Sequence, residues 1–77
     1  MLRANQRSRA HTGTTVYPTD LSRGVFFVVA STELQCSVGG GDPFPIPAGG
    51  HWAPVVVPTS SIQIIGDCIV VSDTVPA

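Results

Sequence analysis

Lysine is absent from this 77-residue chain, and charged residues of any kind make up only 12% of it. The four cations are Arg3, Arg7, Arg9 and Arg23, and the formal net charge is −1. That balance excludes a domain that holds nucleic acid or an anionic membrane by its overall charge. Two cysteines, Cys36 and Cys68, are too few for a disulfide scaffold. They read as reduced packing residues, because free cysteine behaves as a small hydrophobe; a bridge between neighbouring strands is the alternative. Long apolar runs are missing too. The longest, Val25 to Ala30, is far short of the roughly 20 residues that cross a bilayer as a helix. No apolar stretch directly follows the first three arginines, so nothing reads as a secretory leader. The chain is expected to be made in a cytosol and to remain soluble or assemble there.

What the chain does have is glycine and proline, gathered in mid-chain. Eight of the twelve residues from Gly39 to Gly50 are one or the other. Glycine supplies the positive φ of tight turns, and proline removes a backbone donor, so no helix carries this block. On either side lie β-branched and aromatic runs. Val25 to Ala30 does not alternate and reads as a strand buried on both faces. Leu34 to Val38 alternates, with Leu34, Cys36 and Val38 inward. A three-residue turn joins these two as a hairpin. His51 to Pro58 reads as an edge or bent strand, because Pro54 and Pro58 cannot donate to a ladder. Ile62 to Ile65, with Ile62 and Ile64 inward, and Cys68 to Ser72 follow, separated by Gly66-Asp67, a tight hairpin signal if those strands pair. Phe44 and Ile46 are the residues of the Gly/Pro block that want a core. The class is all-β: a small antiparallel β-sandwich or partly open barrel.

Residues 1–20 read differently. Met1 to Thr15 is polar, dotted with arginine and without period, and Val16-Tyr17 ends at Pro18. Such a segment buries too little to order itself. It is expected to be an extended N-terminal arm, long enough to reach neighbouring subunits, followed by one domain over 21–77. Arg3, Arg7, Arg9 and Tyr17 are its candidate contacts, since arginine and tyrosine are enriched at interfaces. Removal of the arm should leave a folded core. Trp52 and Phe44 are the candidate contacts on the domain, because aromatics carry disproportionate interface energy. The other reading of Trp52 is a core-rim residue.

Sites of chemistry are sparse. His11 and His51 form no H-x-H pair, and no carboxylate lies near His51 closer than Asp42, so no metal site is expected. The serines have no G-x-S-x-G setting, and an inward Cys36 would be inert. Gly39-Gly40-Gly41 lacks the lysine, hydroxyl residue and helix of a phosphate loop. Asp20, Glu33, Asp42, Asp67 and Asp73 all fall at turns or strand ends, where turn chemistry accounts for the aspartates. No catalytic, cofactor-binding or metal residue is expected, and the chain does not read as an enzyme.

The order of elements is more telling. A hairpin ending at Val38 leads through glycines to Ile46-Pro47-Ala48-Gly49-Gly50-His51-Trp52, and then to Pro58-Thr59-Ser60-Ser61-Ile62-Gln63-Ile64-Ile65-Gly66. This resembles small β-sandwich virion proteins of tailed bacteriophages, whose chains run through "I-x-L-A-P-G-G-S-Y/W" to "P-T-x-A-I-x-I". The likeness covers about residues 24–73, and Pro43, Pro45 and Pro54 depart from it. It implies a capsid decoration (cement) protein on the virion exterior. Its partner would be the major capsid protein. A homo-oligomer, with a trimer favoured, and no direct contact with nucleic acid or membrane would follow. A tail or head-fibre module that binds host glycan or another virion protein is the alternative.

Overall fold

The fold follows from short alternating segments whose apolar sides must meet. In the computed structural model, which describes residues 6–77, eight strands form: β1 (Arg7–His11), β2 (Thr14–Tyr17), β3 (Phe26–Ala30), β4 (Leu34–Val38), β5 (Phe44–Ile46), β6 (His51–Trp52), β7 (Ile62–Ile65) and β8 (Cys68–Ser72). They build two antiparallel sheets of four, ordered β1-β8-β3-β6 and β2-β7-β4-β5. We call them sheet A and sheet B. The all-β class read from the spacing of the strands holds, and of the sandwich and the partly open barrel the architecture is the sandwich, open at both sides.

Consecutive strands never share a sheet across the odd-to-even connections. Each of β1-β2, β3-β4, β5-β6 and β7-β8 leaves one sheet and enters the other. The pairings Ala30↔Cys68, His11↔Cys68 and Val29↔His51 in sheet A, with Thr14↔Ile65 and Leu34↔Ile46 in sheet B, put these four crossings at one end, and β2-β3 and β6-β7 cross at the other. This is the order of an eight-stranded jelly roll. Two expected hairpins are therefore corrected: β3-β4 and β7-β8 are arches between sheets. The reason is the sidedness of burial. Phe26, Val28 and Ala30 point in from β3 while Leu34 and Cys36 point in from β4. In a hairpin those rows would lie on one face of one sheet with nothing opposite; in an arch they face each other across about 10 Å. Nor is β3 buried on both faces, because Val29 is exposed and Phe27 only half-buried.

Neighbouring arches brace one another. Gly66 N donates to the Gly13 carbonyl (2.9 Å), and Ser31 N to that of Asp67 (3.0 Å). Ala30 N donates to Gly50 O, and Gly49 N returns to Ala30 O, each at 2.9 Å. Gly66 has φ +131°, and a Cβ there would lie 2.5 Å from Leu34 Cδ2 and 3.1 Å from the Glu33 carbonyl. Only glycine fits so tight a crossing.

The expected arm is the second correction. Residues 7–17 are not an extension beyond the domain but its first two strands, β1 on β8 and β2 on β7. Arg3 lies outside the described residues. The polar look of this segment misled because both are edge strands, half of whose side chains face water. The third correction concerns His51 to Pro58. The strand stops at Trp52, and Val55 and Val56 are 100% and 84% exposed. Pro54 ends the ladder by having no N–H to donate.

The core is one cluster: Tyr17, Phe26, Val28, Ala30, Leu34, Cys36, Ile46, Ile62, Ile64, Cys68 and Val70. Both cysteines are buried and free, Cys36 in sheet B and Cys68 in sheet A, so they do not lie on neighbouring strands. Burial pushes the Cys36 thiol up to about 11, where thiolate chemistry at neutral pH is closed.

Candidate functional site

Six residues were expected to make partner contacts, and the structure scatters the five that it describes. Arg7 and Arg9 share one side of edge strand β1, Arg7 exposed and Arg9 half-buried. Tyr17 is fully buried. It is a core residue, and its expectation as a surface contact is corrected. Its inward position on β2 opposite Ile62 is the cause. Phe44 and Trp52 sit half-buried on the opposite edge of the sandwich, packed on the core.

The aromatics form a series across the molecule. His11 meets Tyr17 edge-on (centroids 5.6 Å), Tyr17 meets Phe26 (5.1 Å), Phe26 meets Trp52 (5.9 Å) and Trp52 meets Phe44 (5.2 Å). These are favourable T-shaped contacts. Much of each ring is thus engaged inside the protein.

At the β1 end of this series, His11 Nε2 and Tyr17 Oη are hydrogen-bonded at 2.8 Å. Burial lowers the His11 pKa from 6.5, and the charge of Arg9 lowers it further. A base held below its unfolded value binds a proton better when unfolded. Stability should therefore be flat above about pH 6.5 and fall as pH drops from there toward the lower folded value. Urea titrations of the wild type and His11→Gln between pH 5 and 8 test this. The variant is expected to lose the fall in that window, and an unchanged slope would assign it elsewhere.

Sequence reasoning missed Arg23 altogether. It is only 4% exposed. Its Nη2 donates to the Pro18 carbonyl (2.7 Å), and its Nη1 to those of Pro58 (2.8 Å) and Ser60 (2.9 Å). Nε donates to Thr74 Oγ1 at 3.1 Å, and the guanidinium lies 5.5 Å from the Phe26 ring centroid. Asp73 accepts from the backbone N–H groups of Gly24 (3.0 Å) and Val25 (3.3 Å). Together they tie three chain segments at the end opposite the arches. In the sequence, Arg23 is one arginine in a polar turn, with nothing to mark it as buried.

The remaining feature is a surface. On the outer side of sheet A, cross-strand register aligns Ala10, Ile69, Val29 and His51 in one row. Ser8, Val71 and Phe27 make the next. Phe27 stacks on His51 with centroids 5.8 Å apart and planes at 29°. No Asp, Glu or Arg stands in either row. Sheet B is more polar outside, carrying Thr14, Gln63, Gln35 and Ser37 beside Val16 and Ile65. Among the described residues, no group of three or more His, Cys, Asp or Glu side chains converges as a metal site would need. No protein-family model, curated protein or solved structure matches the chain.

Proposed function

We propose that this chain is a structural protein of a bacteriophage virion, of the capsid-decoration type, which stabilises the head by bridging major capsid subunits. The observation that carries the reading is the outer side of sheet A, whose two rows hold no Asp, Glu or Arg and whose centre is Phe27, Val29, Ile69 and Val71. A small domain that lives free in water rarely leaves such a face open, and one covered by other protein does. Depletion of charge at the centre of a patch is the compositional mark of an interface. The sequence resemblance points the same way, and the jelly roll is an architecture that capsid domains use. Phe44 and Trp52 then serve as the edge that supports the face rather than as its contact. The glycan-binding alternative needs an open tryptophan ring, whereas Trp52 is flanked edge-on by Phe26 and Phe44.

The test is co-sedimentation of the purified chain with phage heads that lack it, with copies per major capsid subunit counted. Decoration predicts a high ratio. Val29→Lys/Ile69→Glu places two charges on the face at exposed positions, where they stand opposite each other as an attractive cross-strand pair and folding is little affected. Its binding is expected to be at least about tenfold weaker. A handful of copies per head, or wild-type binding by a folded double variant, would overturn the proposal.

A further inference from the structure

A four-stranded sheet has two edges, so this sandwich has four, and three of them are blunted. On β5, Pro45 removes a backbone donor from a three-residue strand. The edge of β2 is met by the C-terminal tail, where Ala77 N donates to the Val16 carbonyl at 2.8 Å. Strand β6 is two residues long and stops before Pro54. The fourth edge is β1. It has five residues, no proline and no glycine, and among the described residues its only ladder is with β8. Every second residue of such a strand turns its N–H and C=O away from the sheet, ready to pair.

The same strand holds the two described arginines that reach the surface, Arg7 exposed and Arg9 half-buried. Arg23 is buried and engaged, which leaves Arg7 and Arg9, two residues apart and so on one side of β1. Arg9 Nη1 makes one long bond to the Thr74 carbonyl (3.4 Å). Ser8 and Ala10 occupy the other side and continue the uncharged face of sheet A.

What pairs with this edge is constrained by charge. Two copies joined symmetrically through β1 would set Arg9 against Arg9, or Arg7 against Arg9, and like charges directly opposite are destabilising. Nor does this chain offer a suitable donor from elsewhere, since Asp20, Glu33, Asp42 and Asp67 each stand alone in a connection. We propose that β1 accepts an extended segment of a partner protein as a fifth strand of sheet A. The segment carries carboxylates at alternate positions beside Arg7 and Arg9, and apolar residues between them that extend the row of Ala10, Ile69 and Val29. Backbone pairing supplies the binding and the arginines supply the register. The inference rests on the proposed function only in taking the partner to be a protein.

The probe is an acetylated, amidated seven-residue peptide alternating glutamate and valine, with lysine replacing glutamate in a control. Binding to the full chain is followed by amide NMR. The glutamate peptide is expected to shift β1 amides and to slow hydrogen exchange at alternate ones. Affinity should fall about tenfold between 50 and 500 mM salt. It should fall by at least about tenfold in a folded Arg7→Glu/Arg9→Glu variant. Equal binding of the lysine peptide, shifts confined to other strands, or no binding at millimolar peptide would overturn the proposal. So would a second result. Inward charges on an edge can act purely as guards against pairing; an Arg7→Thr/Arg9→Thr variant that dimerises through β1, from a wild type that binds neither peptide, would show that role instead. Failure here leaves the head-binding result untouched, because that test reads Val29 and Ile69.

Discussion

A chain lacking residues 1–20 is expected to have no cooperative folded state. The deletion takes away β1 and β2, one edge strand from each sheet, and turns β8 and β7 into new edges. With β2 goes Tyr17, the first of the large fully buried side chains. Truncating one buried aromatic costs about 3–5 kcal/mol on its own. A domain of this size has only about 5–10 kcal/mol in total. The deletion also uncovers Phe26, Ile62 and Val70, and takes the Pro18 carbonyl from Arg23. Far-UV circular dichroism through a urea titration checks the outcome. The full chain should show one sigmoidal transition and the truncated chain a featureless drift. A sharp transition in the truncated chain would mean that the segment is dispensable, as the sequence expectation of an arm had it.

That expectation failed for an instructive reason. Edge strands need only one apolar side, and here even that side carries Arg7, Arg9 and His11 on β1. Polar composition then mimics disorder, because cross-strand hydrogen bonds to β8 leave no trace in the local sequence. Where burial is strong, alternation was readable. Leu34 and Cys36 are inward on β4, Ile62 and Ile64 on β7, and Ile46 within the Gly/Pro block, all as their spacing implied. What periodicity cannot give is which sheet a strand joins. Ser31-Thr32-Glu33 and Gly66-Asp67 are short enough for hairpins, and only the need for two apolar rows to face each other makes them arches. The uncharged outer face of sheet A was hidden for the same reason, since Ala10, Ile69, Val29 and His51 come from four strands. Arg23 was hidden because its partners are backbone carbonyls, which every sequence has.

Replacing Arg23 is expected to give the largest loss of stability of any single substitution outside the apolar core. Arg23→Met keeps the stem and the contact with Phe26 but strands three carbonyls and the Thr74 hydroxyl that the guanidinium now serves. Each buried acceptor left unsatisfied costs about 1–3 kcal/mol. Burial lowers the guanidinium pKa while Asp20 and Asp73 oppose that; arginine nonetheless stays charged at any usable pH. The loss should therefore be independent of pH between 5 and 8, unlike that at His11. Arg23→Lys tests the geometry apart from the charge. A fork holds Pro18 on one nitrogen, Pro58 and Ser60 on another and Thr74 on a third, whereas an ammonium is a single point. The lysine variant is expected to recover less than half of the loss, read as urea midpoints at constant m-value. Full recovery would show that the charge alone holds these loops together. Hydrogen exchange should locate the damage at Gly24, Val25 and residues 58–61, with the arches at the far end opening only on global unfolding.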